Sequence, residues 1–367
     1  KVPNVPPLRF PEFTGEWERK RIGNDCKILM CKRILSNQTT EVGDVPFYKI
    51  GTIGGEADAY ISNKLFEEYK QKYSYPDAGE VMISCAGTVG KTIIYDGKPA
   101  YYQDSNIVWI SNPKQLYLNS FLRYVLFKVD WRKLNTTTIM RIYNDNLREL
   151  PIVFPSVQEQ QKIVSFLSLI DKRIETQNKI IEDLKTLKSA ISAKEFAGLK
   201  ECFVERLGNL CSITTGKLDA NAMIDDGQYM FFTCSRENYR TDTFIFEGEA
   251  LLIAGNGEIG SVKYYNGKFN AYQRTYVLQN FLTNIKYLQF YIEYNLPKRV
   301  MKEKNVGAMP YIVLSTLADM PIQLPDLQTQ KHIVQALQAI ENKIDAESNL
   351  LVLLSAQKQY LLQQMFI

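Results

Sequence analysis

The chain has 367 residues, 45% of them hydrophobic and 23% charged, too many for one ordinary core, so two or more domains are expected. A net charge of +4 leans only weakly toward a polyanionic partner and falls short of a strongly basic nucleic-acid module. The single histidine, His332, excludes a multi-histidine metal site, and no apolar run reaches the roughly 18 residues of a membrane span.

In chain order, the opening KVPNVPPLRFPEF lacks the apolar centre of a signal peptide. The six cysteines show no CxxC spacing and read as free thiols of a reducing cytoplasm. WERKRIGN, around Trp17, introduces a first globular region. The apolar run Val81-Met82-Ile83 leads into AGTVGKT, Ala86 to Thr92, which matches the end of a Walker phosphate loop. Such a loop needs glycine where this chain has Cys85, and the alternative is a plain turn between strands. Asp96-Gly97 then reads as a hairpin turn, because both turn positions tolerate positive φ.

LPIVFPSVQEQQKIVSFLSLIDKRIE, from Leu150, opens a long helix after Pro155, with Ser156 as the N-cap. Ile163, Leu167, Ile170, Ile174, Ile181, Leu184 and Ile191 follow steps of four and three, and Gln177 and Lys188 hold the two skipped positions. This is a heptad seam with polar interruptions, on a helix of about 40 residues or roughly 60 Å.

The second half then rewrites the first. MPIQLPDLQTQKHIVQALQAIENKID starts at Met320, 170 residues after its counterpart, with Asp326 as the N-cap. Its seam is Ile333, Leu337, Ile340, Ile344, Leu351, Leu354 and Leu361, interrupted by Glu347 and Lys358. Two seams matched in length and register are expected to pair within the chain, with the interrupting residues fixing register. GEIGSVKYYNGKFNAYQ, from Gly257, matches GTVGKTIIYDGKPAYYQ, from Gly87, at the same offset, with Asn266-Gly267 as a second hairpin turn. The second copy keeps both glycines but has Ser261 in place of Lys91, so AGTVGKT is a β-turn and implies no nucleotide. FVERLGN, near Phe203, matches WERKRIGN at offset 185, which places about 15 extra residues of the first copy within Tyr48–Gly79.

The opening LRFPEFTGEWERKRIG, the paired strands entering G-x-x-G hairpins and the paired [LM]PIxxPxxxxQ leaders resemble, over nearly the whole chain, the specificity subunit of type I restriction–modification systems. The resemblance implies a mixed α+β fold. Two β-rich target recognition domains, at 1–155 and 198–325, are separated by two antiparallel coiled-coil helices, at 156–197 and 326–367, in an internal repeat with pseudo-twofold symmetry. It implies a cytoplasmic, non-catalytic chain that reads a bipartite site on double-stranded DNA. Two modification subunits carrying S-adenosylmethionine would dock on it, and two restriction subunits can add ATP and Mg. The chain itself would hold no cofactor or metal and touch no membrane. The helices with their PxxxxQ leaders, including Gln160 and Gln330, are expected to carry much of the modification-subunit interface.

Positions that differ between the two copies are the candidates for base reading, and shared positions for scaffold or phosphate contact. Lys91 aligns with Ser261, and Asp104 with Arg274. Arg and Lys donate to guanine, and carboxylates accept from cytosine. Lys49, Tyr60, Ser62, Asn63 and Lys64 lie in the longer segment of the first copy, and CSRENYR supplies Ser235, Arg236, Asn238, Tyr239 and Arg240 in the second. Gln103 and Gln273 are shared. The competing readings are a structural adaptor without sequence recognition and an enzyme with its own nucleotide site. The second is disfavoured by the loss of a counterpart to Lys91.

Overall fold

The computed structural model describes residues 4–133, 140–200, 202–303 and 311–367. They group into two compact units, one running to Thr176 and taking in Leu351–Ile367, the other spanning Gln177–Leu350.

The first unit contains β1 (Glu18–Arg21), β2 (Lys27–Leu29), β3 (Val45–Tyr48), β4 (Tyr60–Ile61), α1 (Asn63–Lys72), β5 (Val81–Ser84), β6 (Thr92–Ile94), β7 (Tyr101–Tyr102), β8 (Ile107–Ser111), α2 (Asn119–Lys128), α3 (Asn144–Glu149) and β9 (Pro151–Phe154). The helix α4 (Val157–Ala197) starts in it. Its strands form sheets of order β2-β8-β5-β6 and β4-β3-β7, and a ribbon β1-β9. The central strand β5 is buried along its whole length, as its unbroken apolar run requires. Trp17, Phe121, Phe154 and Leu167 share one core with it.

The second unit contains β10 (Phe203–Arg206), α5 (Leu207–Leu210), β11 (Ser212–Thr215), β12 (Tyr229–Phe232), β13 (Tyr239–Thr241), β14 (Phe246–Ala254), β15 (Val262–Ala271), β16 (Thr275–Gln279), α6 (Ile285–Glu303), α7 (Leu314–Ala318) and β17 (Pro321–Leu324), followed by α8 (Leu327–Met365). Its main sheet has the order β11-β16-β14-β15-β12-β13. The repeat is reproduced to the register. Glu18 faces Phe154 where Phe203 faces Leu324, and Phe47 lies beside Tyr101 where Phe232 lies beside Ala271. These pairs are the ones that the offsets 185 and 170 equate.

The hairpin glycines behave as the sequence indicates. Gly87 and Gly257 both take φ +63°, and Gly90 and Gly260 also sit at positive φ. Gly90 N–H donates to Ser84 O and Gly260 N–H to Ala254 O, closing the same turn twice. The two Asn/Asp-Gly steps do not behave as expected. Asn266 and Gly267 lie inside β15, opposite Glu249 and Gly248 of β14, so the connection between those strands is the G-x-x-G turn. Asp96-Gly97 lies between β6 and β7, which pair with different partners. Lys98 N–H is taken by the Asp96 side chain, and Pro99 has no N–H to give a ladder. The chain therefore breaks there and changes sheets, whereas Phe269 at the same place in the second copy lets β15 run on.

The helix starts match expectation: Ser156 Oγ accepts from Glu159 N, and Asp326 Oδ1 from Gln328 and Thr329 N. In the second unit α4 and α8 run antiparallel, with Gln177 donating to Glu347 O (3.1 Å) and Lys188 reaching Glu341 (3.0 Å). In the first, Lys358 reaches Asp171 at 2.7 Å. Asp171 and Glu341 are repeat partners, as are Lys188 and Lys358, so one ion pair is built twice. The interrupting polar residues thus hold the seam in register, which is the role their spacing suggests.

Gln160 and Gln330 turn inward rather than toward a partner, at 0% and 4% exposed. Gln160 Nε2 donates to Leu116 O and Pro155 O, and its Oε1 accepts from Leu118 N. Gln330 repeats the bond to the proline carbonyl, Pro325 O, at 2.9 Å. Each satisfies backbone groups left open where the strand turns into the helix. His332 is exposed. Among the described residues, no helix is long and apolar enough to cross a membrane.

Candidate nucleic-acid interface

The candidate residues of the first unit separate into two groups. Gln103 Oε1 accepts from Ile50 N, next to Lys49, and a side chain on Gly54 would begin 3.5 Å from Lys91 Cε. The loop after β3, the G-x-x-G turn and the start of β8 thereby bring Lys49, Lys91, Gln103 and Asp104 to one end of β3. Lys49 is paired with Asp58 (3.0 Å) and Asp104 with Arg33 (3.8 Å), whereas among the described residues the Lys91 ammonium carries no partner. Tyr60, Ser62, Asn63 and Lys64 lie at the other end of β3, where Val45 pairs with Ile61 and Pro46 with Tyr60. Ser62 caps α1 by accepting from Leu65 N, and Asn63 N–H donates to Asp44.

In the second unit the segment Ser235–Asn238 lies against the matching turn. Glu258 N–H donates to Cys234 O, and Arg236 pairs with Glu258 at 3.0 Å. The segment is held from below by Lys263, whose ammonium donates to the carbonyls of Ser235, Arg236 and Glu237 and to Asn238 Oδ1. Burial pushes the Lys263 pKa below the ordinary lysine value. Sequence reasoning missed Lys263 because its role lies in four acceptors contributed by the loop between β12 and β13. Tyr239 and Arg240 belong to β13, and Arg240 is tied to Gly227 O. Gln273 donates to Asp219 at 3.3 Å.

One alignment is corrected. Ser84 faces Ile107 where its counterpart Ala254 faces Thr275, so the first copy carries two extra residues after Gln103. Ser105, at φ +48°, and Asn106 close the resulting turn, with Ile107 N–H returning to Gln103 O. Cys85 N–H donates to Asn106 O where Gly255 N–H donates to Arg274 O. The counterpart of Arg274 is therefore Asn106, and Asp104 belongs to the inserted turn.

The ion pairs at these surfaces are exposed. Arg236, at 83%, and Lys49, at 40%, lie in the range where a pair contributes about 0–1 kcal/mol. Little holds these cations against an approaching polyanion. Each unit thus presents, on one corner of a buried sheet, cations, amides and hydroxyls on short loops. This is a donor-rich surface suited to phosphates and base edges.

The type I restriction modification DNA specificity domain matches the chain twice, at residues 14–186 and 200–355. A Haemophilus influenzae protein named as a predicted type I restriction enzyme specificity subunit is 52% identical over 163 residues, 44% of this chain and 42% of that protein. The EcoDI specificity subunit of Escherichia coli is 38% identical over 140 residues, 38% of this chain and 31% of that one. The chain therefore spans less than half the length of these two curated relatives. The crystal structure of a type I restriction–modification S subunit from M. genitalium covers 99% of both chains with a TM-score of 0.63 at 18% identity, a likeness of fold. With both of its halves matched by the family's own domain, the chain belongs to the type I restriction modification DNA specificity family.

Proposed function

We propose that this chain is the DNA sequence-recognition subunit of a type I restriction–modification complex. It reads a bipartite target on double-stranded DNA, one half-site for each unit, across a non-specific spacer. It docks two modification subunits, which supply S-adenosylmethionine and methylate adenine, and two restriction subunits with ATP and Mg can join. The chain carries no catalysis and no cofactor of its own, and it works in the cytoplasm.

The observation that carries this reading is the repeated corner. The same turn, closed by the same backbone bonds, is built twice, and the polar residues around it differ between the copies. A scaffold needs the shared frame, and reading two different half-sites needs the differences. An adaptor without sequence recognition gives no reason for the differences. The modest charge of +4 suits a chain whose phosphate contacts are shared with its partners.

The test is an exchange. Residues 198–319 are replaced by the corresponding domain of another family member, the chimera is co-expressed with its modification subunits, and methylated adenines are mapped across the genome. One half of the motif should change and the other should persist. A chimera altered in both halves would refute the assignment of one half-site to each unit.

A further inference from the structure

We propose that Asn256, Arg274 and Tyr311 form one base-reading station of the second unit, with Arg274 taking the major-groove edge of a guanine. The proposal rests on the DNA-recognition reading above and names residues within it.

The station follows from the backbone. In each unit the residue just past the buried central strand makes two bonds. Gly255 N–H donates to Arg274 O and Gly255 O accepts from Ile312 N, as Cys85 does with Asn106 O and Ile142 N. The residues next to these anchors are therefore brought together by the sheet itself. They are Asn256, Arg274 and Tyr311 in the second unit, and Ala86, Asn106 and Arg141 in the first. In the second unit all three line a single concavity of about 420 Å³ together with Thr215 and Gln273, and among the described residues no carboxylate lines it.

Its chemistry is that of a donor site. The Arg274 guanidinium is exposed and, among the described residues, makes no hydrogen bond, ion pair or ring contact. The Asn256 amide, on a half-buried residue, likewise makes none among the described residues. Arg240, by contrast, is tied to Gly227 O, and Arg236 shares an exposed pair with Glu258. An uncommitted guanidinium offers the fork that matches guanine O6 and N7, and an adjacent amide addresses the next base edge. Tyr311, 65% exposed, walls the concavity. In the first unit Ala86 has no polar group and the Arg141 guanidinium is spent on Ser105 O and Oγ. The two units are thus bound to read different bases at this corner.

The test uses the chain co-expressed with its modification subunits, read by adenine methylation of a library with randomised half-sites. The native complex should show a guanine in the half-site of the second unit. R274K keeps the charge and loses the fork, and should relax discrimination at that one guanine by about 10- to 100-fold while leaving the other half-site intact. N256A should relax one neighbouring position. A motif unchanged in R274K, with R274A lowering methylation of all sequences alike and flattening its salt dependence, would mark a phosphate contact and overturn the proposal. Should R274A fail to assemble, R274K alone decides. A native complex that methylates no bipartite motif would instead refute the recognition reading on which the proposal stands.

Discussion

Gln160→Leu tests whether the paired glutamines are structural. In the first unit the Gln160 side chain is fully buried and holds Leu118 N–H at 2.8 Å and the Leu116 and Pro155 carbonyls at 3.0 Å each. Leucine has a similar volume and none of these bonds. Each backbone group left buried without a partner costs about 1–3 kcal/mol. The added apolar burial returns about 1–2 kcal/mol. Two of the three bonds are only part-buried, so the lower half of that range applies and the three groups together cost about 3–6 kcal/mol. The net loss is about 2–4 kcal/mol, which for a unit of this size lowers the melting midpoint by roughly 5–15 °C. All three tryptophans, Trp17, Trp109 and Trp131, belong to the first unit, so tryptophan emission during a thermal melt reports on it selectively. Gln330→Leu provides the comparison in the second unit. Among the described residues Gln330 holds one backbone group, Pro325 O, and accepts from the Thr283 hydroxyl, so its loss, followed by circular dichroism, should be smaller. A Gln160→Leu emission midpoint within about 1 °C of the native chain would show that the three backbone groups find other partners and would refute the reasoning.

Lys188→Met should destabilise the second unit by about 1–3 kcal/mol in denaturant unfolding, because Glu293 and Glu341 then lose the one cation paired with both and keep only the longer-range attraction of Lys286; adding E293Q and E341Q should recover most of it. Burial opposes the Lys188 charge, but the Glu293 and Glu341 carboxylates outweigh it and hold its pKa above the ordinary lysine value. Its contribution is therefore complete below about pH 10 and lost as pH rises through the folded value, so the native-to-variant gap should close only in strong alkali. Asp25 is held below the ordinary carboxylate range chiefly by its hydrogen bond from Lys114. The stability difference between the native chain and Asp25→Asn, followed by tryptophan emission, should persist at neutral pH and disappear as pH falls below about 4. Gly90→Ala should cost clearly more than Gly260→Ala in thermal melts. Both take positive φ, but an added Cβ at Gly90 would overlap the Trp131 ring, whereas at Gly260 it reaches only Leu296 at 3.7 Å.

The one-dimensional features of this protein were legible without its structure. Two copies of one pattern, the heptad seams, the N-caps Ser156 and Asp326 and the G-x-x-G turn all follow from spacing along the chain. Local backbone chemistry and helical periodicity act over a few residues, so a sequence displays them directly. The meeting of Lys188 with Glu341 and of Lys358 with Asp171 follows from the same register once the helices are antiparallel. What only the tertiary structure decided concerns partners distant in sequence. Asn266-Gly267 has the composition of a hairpin turn, yet pairing with Glu249 and Gly248 keeps it inside a strand, because eight ladder pairs between β14 and β15 outweigh one local preference. Lys49 and Lys91 converge while Ser62 and Lys64 lie at the far end of the same strand, which composition cannot distinguish. The two residues inserted before Ile107 move the counterpart of Arg274 from Asp104 to Asn106. A gapless alignment conceals that shift, and only the backbone bonds that Cys85 and Gly255 make across their sheets reveal it.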